Sequence, residues 1–259
     1  MSVGVSFTAV TGLPEIEPGA DLASLIGAAL DASRLAPRAC DALIVAQKIV
    51  SKAEGRLVEL DSVVPSDEAR RLARLTGKDP RLVELILGET EEIIRAVPNV
   101  LIVRHRLGFV MANAGVDRSN VPAARAEDRS RERALLLPRD PDGSAAELRR
   151  RLMERFGTPI GVIVSDSFGR PWRRGVVNVA LGSAGLPSLI DRRGERDRNG
   201  RALEVTEVAF ADAVAAAAAL VMGEGAESTP LVLARGLEWD APELNASALL
   251  RPKSEDLFR

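Results

Sequence analysis

Apolar and polar positions along this chain follow two different periods, and the switches between them outline its elements. Residues 3–10 alternate loosely with period two, as a strand does, and "GLPEIEPG" (12–19) breaks the pattern with proline and glycine. "DLASLIGAALDAS" (21–33) carries apolar residues at helical spacing behind Asp21, a side chain suited to capping a helix N-terminus. "DALIVAQKIVSKAEG" (41–55) opens as a short apolar strand and continues into a polar segment holding Lys48 and Lys52. "PSDEARRLARLTG" (65–77) predicts a helix begun at Ser66 and closed at Gly77, and 79–97 predicts a second helix.

"LIVRHRLGFVMANAGVDRSNV" (101–121) predicts a hairpin that ends in a polar loop. The arginine- and acid-rich segment 122–138 shows no core face before its leucines. Ser144 and Glu147 stand at capping-box spacing and place a helix at 140–157. In "GVIVSDSFGRPWRRGVVNVALG" (161–182) a buried-strand signal runs into Ser165, Asp166 and Ser167, then into Arg170, Arg173 and Arg174, and a second apolar run follows. A charged, glycine-bearing loop covers 191–201, an alanine-rich helix 206–225, and a closing strand 229–236. Strands and helices come in mixed order, without repeats or a low-complexity linker. That order predicts an α+β fold rather than a regular βαβ alternation.

Composition narrows the class. The chain has 259 residues, 46% hydrophobic and 28% charged, which is the profile of a globular protein. Its 35 basic and 37 acidic residues nearly cancel, so no bulk field recommends a nucleic acid or a membrane surface as partner. No apolar run approaches the ~18–20 residues of a membrane-spanning helix. The N-terminus has neither a basic n-region nor a small-residue cleavage site, so no signal peptide is expected and a cytoplasmic location is. The single cysteine, Cys40, excludes an internal disulfide, and with His105 as the single histidine it cannot build a structural zinc site. Cys40 reads as a small core residue and His105, between two arginines in a strand-like run, as structural.

The candidate chemistry lies in three polar clusters, each at the end of an apolar run. They are Asn113, Asp117, Ser119 and Asn120; Ser165, Asp166 and Ser167; and Thr206 with Glu207. Carboxylates and hydroxyls are hard oxygen donors of the kind that Mg²⁺ or Mn²⁺ takes alongside water and phosphate oxygens. Each acid taken alone suits a turn or a cap equally well. Arg170, Arg173 and Arg174 fit a clamp for phosphate or carboxylate, or a solvated basic turn. Lys48 and Lys52 read either as phosphate ligands or as surface lysines. "MGEG" (222–225) is first a glycine helix end, although glycine there would also let backbone N–H groups approach a phosphate. No P-loop and no Rossmann fingerprint is present. Two classes stay open on the residues: a metal-dependent enzyme of phosphoryl or phosphoribosyl groups, and a non-catalytic binder of phospho-ligands.

Taken together, "GLPEIEPGADL", "QKIVSKAEGR", "NAGVDRSNV", "LLLPRDPDGSA", "GVIVSDSFGRPWRRGVVNVALGSAGL" and "LVMGEG" resemble, in order and approximate spacing, the coenzyme F-420-0:L-glutamate ligase family, the gamma-glutamyl ligases of deazaflavin biosynthesis. The resemblance spans essentially the whole chain. It implies a two-domain α+β fold peculiar to the family, with antiparallel and mixed sheets and an intertwined homodimer. The subdomains would comprise about 1–115 plus 202–259, and about 116–201. It further implies a GTP-dependent enzyme using two Mg²⁺ or Mn²⁺ ions, with K⁺ as a further candidate. Such an enzyme adds L-glutamate to the precursor's carboxylate and then extends the product through γ-carboxyl groups.

Carried onto matching positions, Asp117, Asp166, Ser167 and Glu207 would hold metal. Leu13, Pro14, Glu15, Ile16, Gln47, Lys48, Lys52 and Asn120 would line the GTP site, joined by Gly223, Glu224 and Gly225. Gln47 and Lys48 replace small hydroxyl residues expected in relatives. Asp117 and Asp166 would act at the γ-phosphate, with Arg170, Arg173 or Arg174 binding the anionic precursor. The expected form stands alone, without the nitroreductase-like domain fused to some bacterial members.

Overall fold

The structure, a computed structural model, describes residues 4–118 and 132–256. Strand β1 (Ser6–Ala9) leads through the proline-broken loop to helix α1 (Leu22–Ala32), where the Asp21 carboxylate accepts the Ser24 N–H at 3.1 Å as the predicted cap. The apolar run behind it is β2 (Ala42–Ala46), and the polar segment that follows is itself a helix, α2 (Gln47–Ala53). Its lysines, four residues apart, share one face. After β3 (Leu57–Glu59) comes α3 (Asp67–Thr76), begun by Ser66 and closed by Gly77 at φ 69°, as its sequence predicts.

Segment 79–97 is not one helix. It is α4 (Pro80–Gly88) followed by β4 (Thr90–Val97). The β-branched Thr90, Ile93 and Ile94 favour a pleated surface, and pairing with β5 (Val100–His105) supplies it. β5 also pairs with β6 (Val110–Ala112), which gives the predicted hairpin. β7 (Arg133–Leu135) pairs with β3. Helix α5 (Pro141–Phe156) starts earlier than its capping box suggests: Asp140 is the cap, accepting the Gly143 N–H at 3.0 Å, while the Ser144 hydroxyl donates to Glu54. Proline at its first position carries no N–H to leave unpaired.

β8 (Gly161–Arg170) and β9 (Arg173–Ala184) form one long antiparallel hairpin, so Ser165–Ser167 lie inside a strand rather than at its end. β10 (Leu189–Asp191) pairs with β11 (Glu207–Ala209). The alanine-rich helix, α6 (Phe210–Met222), therefore begins later than predicted, and Glu207 belongs to a strand. The last strand is β12 (Leu231–Arg235).

The main sheet has the order β1-β12-β2-β8-β9, with β2 and β8 parallel and the other neighbours antiparallel. β2 and the adjoining runs Leu231–Ala234 of β12 and Gly161–Val164 of β8 are apolar because both faces are covered. Leu43, Val45, Val162, Val164, Leu231 and Leu233 pack on α1 and α5. Ala42, Ile44, Ile163, Val232 and Ala234 pack on α6, whose alanines permit close approach. Gly182 lies under the start of α5, where an added Cβ would meet the Pro141 carbonyl oxygen at 2.1 Å.

A separate apolar cluster, from Leu60 to Leu136, joins α3 and α4 to β5 and β7. Beside it Glu89 receives Arg56 and Arg106 at 2.9 Å, and His105 Nε2 lies 3.2 Å away. The other imidazole nitrogen of His105 accepts the Leu107 N–H at 2.9 Å, which accounts for His105 as a structural residue. Cys40, expected in the core, is exposed. It sits at φ 65° in the tight approach to β2, where the backbone turns outward. Among the described residues no helix is long and apolar enough to cross a membrane.

Candidate functional site

At the carboxyl ends of the parallel pair β2 and β8 the sheet opens into a cleft of about 610 Å³. This is the position at which sheets with parallel strands place ligands, because loops diverge there and leave a crevice. β2 ends at Ala46, whose register partner is Ser165. Beyond that point β8 runs on with β9 alone, so on the side where β2 has ended Asp166 and Ser167 face the opening.

Four segments far apart in sequence form the wall: Leu13–Ile16, the start of α2 with Gln47, Lys48 and Lys52, the β8 residues Ser165–Ser167, and Met222–Gly225 with Glu227–Pro230. The close of α6 explains the last of these. Gly223 ends the helix at φ 73°, and Gly225 N–H donates to Glu227 at 2.7 Å, folding the chain back toward β12.

Charge in the cleft is crowded. Lys48 Nζ meets Asp117 Oδ2 at 2.6 Å, and Lys52 Nζ meets Glu15 Oε1 at 2.6 Å. Burial pushes the Asp166 carboxyl up to about 6; the Ser167 N–H and the Lys48 ammonium restrain the rise, and the Asp117 and Glu224 carboxylates add to it. Ser165 Oγ and Asn178 Oδ1, both lining the cleft, are buried without a hydrogen-bond partner among the described residues. Ser167 and Asn178 face each other across the hairpin.

Among the described residues no three His, Cys, Asp or Glu side chains converge closely enough to hold a metal unaided. Asp117, paired with Lys48, and Asp166 act on each other electrostatically and are the two carboxylates that could hold a cation here. This fits a Mg²⁺-type ion that draws the rest of its shell from water and ligand phosphates.

A family model described as F420-0:Gamma-glutamyl ligase matches residues 12–236. The chain belongs to this ligase family. Among its relatives, the coenzyme F420:L-glutamate ligase of Methanopyrus kandleri is 48% identical over 252 residues, covering 95% of this chain and 94% of the relative. That of Methanothermobacter thermautotrophicus is 47% identical over 259 residues, covering 99% and 100%. That of Archaeoglobus fulgidus is 43% identical over 251 residues, covering 96% and 94%.

In this member of the gamma-glutamyl ligases, the fold gathers most of the residues singled out from sequence. Leu13, Pro14, Glu15, Ile16, Gln47, Lys48, Lys52, Asp166, Ser167, Gly223, Glu224 and Gly225 line one cleft, and Asp117 reaches it through Lys48. Other positions fall elsewhere. Glu207 lies in β11, 3.5 Å from Arg193 and outside the cleft wall. Arg170, Arg173 and Arg174 stand at the hairpin tip, beyond the wall. Asn120 and Ser119 lie outside the described residues.

Sequence reasoning missed Ser165 as an unpaired floor residue, and missed Asn178 and Thr229 altogether. Asn178 had a signal: it is the one polar residue in the run "VVNVAL". Thr229 had little, because its position follows only from where α6 turns back.

Proposed function

We propose that this chain is a nucleotide-driven ligase that joins L-glutamate to the carboxylate of the coenzyme F420 precursor. The observation that carries the reading is the pairing, in one cleft, of two lysines with a crowded, partly desolvated carboxylate set. That combination serves a polyphosphate and its counter-cation. Family membership and the names of the relatives support the substrate.

A carboxylate is a poor electrophile. In this reading GTP transfers its γ-phosphoryl group to a precursor carboxylate oxygen and leaves as GDP. The glutamate amine then attacks the acyl phosphate, its carbon–oxygen bond to phosphate breaks, and inorganic phosphate leaves with an amide formed. Such chemistry asks the protein to position groups and to neutralise charge, without a protein nucleophile. Lys48 and Lys52 bind phosphate oxygens, the Gly223–Gly225 turn offers backbone N–H groups, and Leu13–Ile16 and Gln47 cover the nucleoside. A divalent cation bound by Asp117, Asp166 and Ser167 would neutralise charge on the transferring phosphoryl group.

The three tip arginines, none with a carboxylate partner among the described residues, bind the anionic precursor. Glu207 and the tip join the site fully in a homodimer, and this places a second copy within the same proposal.

Incubation with the precursor, L-glutamate, GTP and Mn²⁺, followed by mass spectrometry, tests the reading. The expected products are precursor enlarged by glutamyl units, GDP and phosphate. No glutamyl mass increase overturns it, and equal turnover with ATP overturns the nucleotide assignment.

A further inference from the structure

Both lysines of the cleft are held by the chain's own carboxylates, but the two acids are anchored differently. Asp117 exchanges two backbone hydrogen bonds with Leu135, at 3.0 and 2.8 Å, so fixed backbone carries its side chain. Glu15 sits in Thr11–Ile16, a segment with no backbone hydrogen bond to other described residues. Ile16, 3% exposed, pins one end of that segment in the core, and the Gly19 N–H on the Ala53 carbonyl at 2.8 Å closes it behind. On the other side the Val10 N–H donates to the Leu231 carbonyl at 2.9 Å and Leu13 packs partly on the core, so between Val10 and Ile16 the polar contact that crosses the cleft is Glu15 on Lys52.

The partners also differ in burial. The Lys52 side chain is 9% exposed, whereas that of Glu15 is 60% exposed. A buried ammonium needs a counter-ion in every state, because leaving it unpaired forfeits its hydration without compensation. A solvent-facing carboxylate on a loosely held strap loses little by leaving. The asymmetry makes Lys52 the fixed member of the pair and Glu15 the exchangeable one.

We propose that Glu15 is a built-in placeholder for a phosphate group: it holds Lys52 in the empty cleft and turns out to solvent when a phosphoanion takes its place, while Leu13 and Ile16 stay on the core. The proposal rests on the cleft being a nucleotide phosphate site. Glu15 then competes with the ligand for Lys52 instead of contacting it, and acts as a positioning residue. No bond is made or broken in the exchange.

The test uses the full chain and inorganic tripolyphosphate as the probe, with thermal unfolding as the readout. Without probe, Glu15→Gln should unfold about 2–4 °C below wild type, the effect of one partly exposed ion pair in a chain of this size. At saturating probe the two should unfold together, with half-saturation about five-fold lower in the variant. Lys52→Met should lose most of the probe-induced shift, which ties the effect to this lysine. A Glu15→Gln deficit that persists at saturation, weaker probe binding by that variant, no difference between variant and wild type, or an unchanged shift in Lys52→Met overturns the placeholder. If the probe fails to stabilise the wild-type chain at all, the phosphate reading of the cleft falls with it.

Discussion

The inner and outer halves of the β8–β9 hairpin share one sequence motif but live under different physics. In the inner half Val162, Ile163 and Val164 are fully buried and Ser165 is 1% exposed. Asp166 comes next and is pushed up to about 6 chiefly by burial. In the outer half Trp172 is 83% exposed, and Arg170 finds no more than the Arg174 carbonyl at 3.5 Å. The inner charges are few, desolvated and matched against lysine, so each one alters both stability and affinity. Arg173 and Arg174 are exposed and keep their water, so they can recognise an anion while contributing little to folding, whereas Arg170 is half-buried with its Nη1 unpartnered among the described residues. Where β2 stops, opposite Ser165, the motif passes from one regime to the other.

The largest test of the contrast is Asp166→Asn. If Asp166 holds the proposed cation, its loss should cut ligation by at least about 100-fold, since even outer-shell changes cost 10–100-fold. The empty variant should nevertheless be more stable at pH 7. The folded chain holds the Asp166 proton with a pKa of about 6, against an ordinary value of 3.8. Ionisation therefore costs stability as pH rises through that window and costs nothing below it. The unfolding temperature of the variant should exceed that of wild type at pH 7, and the two should converge near pH 4. A variant less stable than wild type at pH 7 would show that the carboxylate is better compensated than its surroundings suggest.

At the outer half the balance should reverse. Replacing the exposed Arg173 and Arg174 together with alanine should change chemical-denaturation stability by no more than about 0.5 kcal/mol per site. The KM for the coenzyme precursor should rise about ten-fold or more, while that for GTP stays unchanged. An effect on both KM values would place the tip at the nucleotide instead.

The smallest expected effect returns to the inner half. Ser165→Ala removes a buried hydroxyl that has no partner among the described residues, so the empty chain should gain up to about 1 kcal/mol or stay unchanged in a denaturant titration. A clear loss would mean that ordered water satisfies Ser165 in solution.

Much of this was legible locally. Asp21 and Ser66 announced their helices through capping chemistry, and Gly77 announced an end, because those signals act within one turn. Reading failed where a partner at a distance decided. Thr90–Val97 continued an apolar helical pattern until β5 offered an antiparallel neighbour. Ser144 looked like a cap because nothing nearby revealed that Asp140 would serve and that Glu54 would take the serine hydroxyl. Glu207 read as part of the alanine-rich helix, yet pairing with β10 makes it a strand residue, 3.5 Å from Arg193.

The sequence by itself determined the apolar strands, the capped helices, the family and most of the side-chain inventory of the cleft, since all of these are written in residue type and spacing. Only the tertiary structure decided that Lys48 and Asp166 share a wall, because the parallel pairing of β2 with β8 joins segments that no local signal links. It also decided which lysine meets which acid, and that Arg173 and Arg174 of the same motif stand apart in water. The physical reason is that periodicity and capping are settled by neighbours within a turn or two. Pairing is settled by which apolar faces can be buried together, and that is a property of the whole chain.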